Sequence, residues 1–131
     1  MKDFVDTIAL IVEEDGRLLV ERRKLTKETD PGKVAIPGGH VEEGESLEEA
    51  CRRELHEELG LTCEVFSFIV MLPHRTGSED QMVHYFSCDS WVGDPECHEA
   101  EEIFWIDRGK LDVLDFDIDR TAASMFFSDI V

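Results

Sequence analysis

Glu54, Glu57 and Glu58 stand at i, i+3 and i+4, a spacing that on a helix projects their carboxylates from one patch of its surface. Like charges at that spacing repel and destabilise a bare helix, so a positive partner is expected there. Hard divalent cations such as Mg²⁺ take carboxylate oxygens and fill their remaining positions with water and substrate phosphates. Arg53 adjoins Glu54 and is placed to hold one carboxylate by a bidentate pair. The chemistry suggested is that of a metal working on phosphate. An isolated E-x-x-E-E run also describes a solvated acidic helix face, and what surrounds the glutamates decides between the two.

The surroundings specify a helix with defined ends. Ser46 followed three residues later by Glu49 is a capping box that starts the helix at Leu47. Gly60 ends it as a left-handed C-cap. Leu47, Cys51, Leu55 and Leu59 recur at every fourth position with Ala50 beside them, which makes a buried stripe. Ahead of the helix, Pro37-Gly38-Gly39 reads as a turn, because two glycines allow backbone angles closed to other residues.

Taken together, Gly38 to Leu61 reads GGHVEEGESLEEACRRELHEELGL. Gly39, Glu45, Arg53, Glu54, Leu55, Glu57, Glu58, Gly60 and Leu61 stand at the spacing G-x5-E-x7-R-E-(apolar)-x-E-E-x-G-(apolar), which is that of the Nudix box, and the chain resembles the Nudix hydrolases. The resemblance implies a pyrophosphohydrolase, dependent on Mg²⁺ with Mn²⁺ as a substitute, that cleaves a nucleoside diphosphate linked to another moiety. It implies Glu54, Glu57 and Glu58 as metal ligands with the backbone carbonyl of Gly38, and Glu45 as a brace or a ligand through water. Outside the box, the phrase E-A-E-E-I-F-W-I resembles the segment from which a further glutamate reaches the metal, with Glu99 preferred and Glu102 second. Glu54, Glu57 and Glu99 are the candidates for the base that takes the proton of the attacking water.

For substrate phosphate, the resemblance points to Arg23 first and Arg22 second. Lys33 lies in a loop from which it could reach a substrate, and Asp117 or Asp119 could accept hydrogen bonds from a purine edge. A MutT-like enzyme is the first expectation, cleaving a (d)NTP or an oxidised dNTP such as 8-oxo-dGTP to the monophosphate and pyrophosphate. An ADP-ribose pyrophosphatase is the alternative. A non-catalytic nucleotide-binding domain is the reading from another class, and it is disfavoured because every box glutamate is present.

The 131 residues are expected to form one domain, 1–131, with a single core. The net charge of −18 argues against DNA, RNA or anionic membranes as partners, since phosphate polymers are bound by basic patches. A single nucleotide remains compatible, because a bound metal reverses the local charge. Cys51, Cys63, Cys88 and Cys97 make no C-x-x-C pair and no zinc spacing, and free thiols in a cytoplasmic protein are expected. No apolar stretch reaches membrane-spanning length. Monomer and homodimer are both compatible, with Trp91, Trp105 and Phe126-Phe127 read as core in the first instance.

Around the box, Phe4 to Glu13 and Arg17 to Arg23 flank Asp15-Gly16 and are expected to pair as a hairpin. Lys24 to Lys33 is a loop, and Val34-Ala35-Ile36 a short strand. Thr62 to Leu72 is strand-like, with Pro73 expected to stop it. His74 to Asp80 is a polar turn and Gln81 to Ser90 a strand, with Val83 and Tyr85 on one face and Met82, His84, Phe86 and Cys88 on the other. Val92 to Ala100 is a loop and Ile103 to Ile106 a last strand. A helical turn over Lys110 to Leu114 precedes a final helix, Ile118 to Ser128, capped by Asp117 and packed through Ala122, Met125 and Phe126. Connections this short cannot join only parallel strands. The expected class is therefore α+β, an α/β/α sandwich with a mixed β-sheet, as the resemblance also implies.

Overall fold

The computed structural model describes residues 3–129. Strand β1 (Val5–Ile11) runs through the middle of a four-stranded sheet whose order is β5 (Gly38–His40), β1, β7 (Asp80–Asp89), β6 (Val65–Arg75). It is parallel to β7 and antiparallel to β5, while β6 and β7 are antiparallel, so the sheet is mixed as expected. A second sheet joins β2 (Glu13–Glu14), β3 (Arg17–Arg22) and β4 (Val34–Ala35), and β8 (Glu102–Asp107) pairs with the other edge of β3.

The expected hairpin is therefore much shorter than the apolar runs suggest. Only Glu13–Glu14 folds back on Arg17 and Leu18, and β1 and β3 enter different sheets. Both strands are buried on both faces: Thr7 to Val12 and Leu18 to Glu21 are all buried. A run apolar on both sides belongs between other layers rather than in a two-stranded ribbon.

Period-two alternation sorts these strands between two cores. Ile8, Leu10, Leu19, Phe86 and Cys88 face helix α1 (Leu47–Leu59), packing on Ala50, Cys51, Leu55 and Leu59. Ala9, Ile11, Leu18, Val20, Val83 and Tyr85 face helix α2 (Asp117–Asp129), packing with Ala122 and Ala123. Trp91 and Trp105 pack against the first core, Phe126 and Phe127 against the second. Met125 does not join them and is exposed, because the buried face of α2 follows Asp119, Ala122, Ala123 and Phe126 and leaves position 125 on the outer side.

Pro73 does not end its strand. β6 continues to Arg75, with Pro73 opposite Met82. β6 is the edge of its sheet, where a residue without an N–H removes no ladder bond. Pro37-Gly38-Gly39 does not turn either. Gly38–His40 forms strand β5 against β1, with Gly39 opposite Ile8. The glycines serve close approach: a Cβ on Gly38 would lie 2.0 Å from the Ile8 carbonyl oxygen. At the helix, the capping box is present in both directions and Gly60 closes the C-terminus at φ 67°. A 3₁₀ segment over Arg108–Val113 leads to α2, and Asp117 lies in the first turn of that helix.

Leu55 is fully buried between α1 and the sheet. Leu55→Ala is expected to cost about 2–5 kcal/mol, as removal of a buried leucine side chain does. The cost is read from the urea midpoint at unchanged m; a loss below about 1 kcal/mol would show that α1 contributes little to stability.

Candidate active site

Helix α1, strand β5, the end of β3 and the segment before β8 meet at a cavity of about 440 Å³. Its walls include Gly38, Gly39, Arg53, Glu54, Glu58 and Glu99 together with Tyr85, Phe116 and Asp119. Oxygens of Glu54, Glu58 and Glu99 lie within 4.8 Å of one another. Two of these glutamates come from successive turns of α1 and the third from the loop after β7, so residues far apart in the chain form a single acidic cluster.

The cluster is set into the protein rather than displayed on it. Glu54 is 8% exposed and Glu58 7%. Burial raises the pKa of Glu54, against the opposing pull of Arg53. Glu58 is raised further, by burial first and then by Glu21, Glu54 and Glu99. Its Oε2 is buried and has no hydrogen-bond partner among the described residues, an arrangement that costs free energy unless something positive supplies the missing contact. Three hard oxygen donors, one of them unpartnered, fit a hard divalent cation.

Glu57 takes no part in this cluster. Its side chain is half exposed and accepts from Arg53 Nη1 at 3.1 Å. Successive residues on a helix point about 100° apart, and that rotation separates Glu57 from Glu58. The bidentate pair of Arg53 is also made elsewhere than expected. Arg53 Nε and Nη2 donate to the two oxygens of Glu45 at 2.7 and 2.9 Å, while Glu54 receives one bond, from Nη1 at 2.7 Å. Nη2 donates as well to the His40 carbonyl at 2.9 Å. Arg53 thus ties β5, the loop before α1 and the helix itself together. Its hydrogen bonds hold the Glu45 carboxyl below the usual carboxylate range.

Alternation along β3 decides between the two arginines. Glu21 shares the parity of Leu19, which faces α1, and Arg23 continues that parity past the end of the strand. Arg23 lines the cavity, donating to the Thr29 carbonyl at 3.0 Å and to its hydroxyl at 2.8 Å. Arg22 has the other parity and pairs with Glu102 at 3.0 Å. Glu102 is accordingly engaged outside the acidic cluster, which contains Glu99 instead. Lys33 is exposed and off the cavity wall. Asp117 is solvent-facing and paired with Arg120.

Asp119, by contrast, is buried in the cavity wall, accepting from Tyr85 Oη at 2.5 Å and from the Ile36 amide at 3.1 Å. Burial pushes its pKa up to about 6. His74, 2.9 Å from Asp30 and edge-on to Phe116, completes that wall.

Glu21 was not anticipated. It is 4% exposed, and burial raises its pKa to about 7 against the pull of Arg23 and Lys27. The available signal was its i+2 relation to Leu19. It is outweighed in the sequence by the charged neighbours, which make RLLVERR read as a strand running out into solvent.

Two sheets between helices, carrying glutamates on a capped helix beside a cavity with an inward arginine, define a class of phosphate-handling enzymes. The NUDIX domain model matches residues 3–126, and the chain belongs to that family. It is a hydrolase of phosphoric anhydrides. The 8-oxo-dGTP diphosphatase of Escherichia coli (strain K12) is 28% identical over 116 residues, 88% of this chain and 89% of that protein. An ADP-ribose pyrophosphatase of Methanocaldococcus jannaschii is 34% identical over 113 residues, 84% of this chain and 66% of that one. The crystal structure of a MutT NUDIX hydrolase from Burkholderia pseudomallei superposes with a TM-score of 0.80 at 26% identity, covering 95% of this chain and 98% of that one. No helix among the described residues is long and apolar enough to cross a membrane.

The raised carboxyls give the site a pH signature. Folded, Glu21 and Asp119 keep their protons up to about pH 7 and about pH 6, whereas unfolded they release them near pH 4. The folded state binds more protons across that window, so stability falls as pH rises through it. In chelator, the protein is expected to melt at a lower temperature at pH 7.5 than at pH 5, with Glu21→Gln removing part of the difference. An equal pH dependence in the variant would assign the slope to other groups.

Proposed function

We propose that this chain is a Mg²⁺-dependent nucleoside triphosphate pyrophosphohydrolase of the MutT-like kind, taking a (d)NTP or an oxidised dNTP such as 8-oxo-dGTP to the monophosphate and pyrophosphate. The observation that carries the reading is a single cavity lined both by the acidic cluster with Arg23 and by Tyr85, Phe116 and Asp119. Such a cavity can receive a polyphosphate and a base together. The similarity to an 8-oxo-dGTP diphosphatase over most of both chains supports it.

Glu54, Glu58 and Glu99 would hold the cation, with the Gly38 carbonyl as a further donor from the same wall. Bound there, Mg²⁺ supplies neutralisation of phosphate oxygens and acidification of a water. The protein's own residues do the rest. Glu54 accepts the proton of the attacking water, since Glu57 is turned away to Arg53 and Glu54 lines the cavity. Arg53 fixes the orientation of Glu54 and shares its charge among Glu54, Glu45 and Glu57. Arg23 meets the phosphates, its guanidinium steadied by Thr29. Asp119 meets the base. Because it already accepts from Tyr85 and Ile36, its carboxyl is fixed in orientation before substrate arrives. We place the enzyme in the cytoplasm, where its four free cysteines would remain reduced.

The similarity to an ADP-ribose pyrophosphatase favours a second reading, cleavage of ADP-ribose to AMP and ribose 5-phosphate in the same site.

Products from a parallel panel of dGTP, 8-oxo-dGTP, other NTPs and ADP-ribose separate these readings. Pyrophosphate with a monophosphate is expected, whereas AMP with ribose 5-phosphate would move the enzyme to the second. Silence across the panel with metal bound would leave a nucleotide-binding domain. Glu54→Gln is expected to lower kcat by about 10²–10⁴, the range for loss of a general base, with the melting temperature retained; full activity would remove Glu54 from that role. Excess chelator is expected to stop turnover and Mg²⁺ or Mn²⁺ to restore it, and turnover persisting in chelator would exclude a metal-dependent mechanism.

A further inference from the structure

The segment that carries Glu99 is fastened to the C-terminal end of α1. A helix leaves its last carbonyls without intrahelical partners. Here the Gly60 amide takes the carbonyl of His56, and the next three are taken by the loop. His98 Nδ1–H donates to the Glu57 carbonyl at 3.1 Å. The His98 amide donates to Glu58 O at 3.1 Å and the Glu96 amide to Leu59 O at 2.9 Å. The far side of the ring, Nε2, lies 2.9 Å from Glu96 Oε1.

Gly60 makes room for this contact as well as closing the helix. A Cβ there would stand 2.8 Å from Glu96 Oε1 and 3.2 Å from His98 Cε1. Glu54 and Glu58 are fixed relative to each other by the helix that bears both. Glu99 comes from another segment and is exposed, and its distance from the helix pair depends on how the loop docks.

We propose that His98 is a positioning residue for Glu99: by holding the loop on the terminal carbonyls of α1 with both its amide and its ring, it sets Glu99 against Glu54 and Glu58. This rests on the reading of those three glutamates as a metal site. A group that orients a metal ligand typically changes metal affinity 10- to 100-fold when removed (about that range), and the ring of His98 reaches the ligand-bearing helix through a single bond that substitution can delete.

The test is a Mn²⁺ titration followed by electron paramagnetic resonance, with melting temperatures, on the wild type, Glu99→Gln, His98→Ala, His98→Asn and the double variant His98→Ala/Glu99→Gln. His98→Ala is expected to weaken Mn²⁺ binding about 10-fold or more. His98→Asn, whose amide can replace Nδ1–H, is expected to recover most of the loss. The double variant is expected to bind no more weakly than Glu99→Gln alone, because His98 acts through Glu99. Wild-type affinity in His98→Ala, or losses that add in the double variant, would overturn the proposal while leaving the metal site standing. Should His98→Ala fail to fold, His98→Leu, which keeps the bulk and removes the ring bond to the Glu57 carbonyl, decides: a loss of about 10-fold or more that His98→Asn recovers supports the role, and wild-type affinity overturns it. Affinity that Glu99→Gln leaves unchanged would overturn the metal-site reading and the positioning role with it.

Discussion

Glu21, Glu54, Glu58 and Glu99 are folded into one corner, where burial and the charges of the other three raise the cost of ionising Glu58. Carboxylates taken out of water need compensation, and leaving them uncompensated is expensive. Within the protein the compensation is incomplete. Arg53 reaches Glu54 and Arg23 lies 3.7 Å from Glu21, while an oxygen of Glu58 has no hydrogen-bond partner among the described residues. The acidic corner is therefore stable as a site only in company, either with protons or with a cation. That requirement is also what makes it useful, since a cation held by carboxylates on one side presents its other side to phosphates.

Everything around the corner serves to hold it rigidly. The capping box and Gly60 fix where α1 begins and ends, and hence which turn faces the cavity. Close passage of β5 against β1 needs glycine at 38, and at 39 a Cβ would fall 2.4 Å from the Glu54 carboxyl carbon. Gly38 and Gly39 are there because a strand and a carboxylate must occupy the space a side chain would take. Arg53 then links that strand to the helix through the His40 carbonyl and Glu45. Parallel pairing of β1 with β7 brings Tyr85 into the cavity wall, and the loop docked on the end of α1 brings Glu99 there.

Some of this was legible from the residues in order. The limits of α1, its buried stripe, the two faces of β7 and the acidic character of the site depend on local spacing, and local spacing survives folding. The choice between Arg22 and Arg23 was half legible, since strand parity tells them apart once a strand is granted. Pro73 was misread because the rule against proline in a strand applies to inner strands, and which strand is the edge is a property of the sheet. The glycines before the helix were misread for a related reason: glycine permits unusual angles and it permits close contact, and only the neighbouring strand shows which is in use.

The sequence alone determined the helix, its caps, the set of acidic residues and the family they mark, because these follow from residue type and from separations of three to eight positions. Tertiary structure alone decided which carboxylates meet. Glu57 and Glu102 are the same residue type as Glu58 and Glu99, yet the first is turned to Arg53 and the second is paired with Arg22. It also decided that Glu21 is buried with them, since its side chain leaves β3 on the face of Leu19, which α1 covers. The physical reason is that charge repulsion and desolvation depend on distance and on exclusion of water, and neither is fixed until distant segments of the chain are packed together.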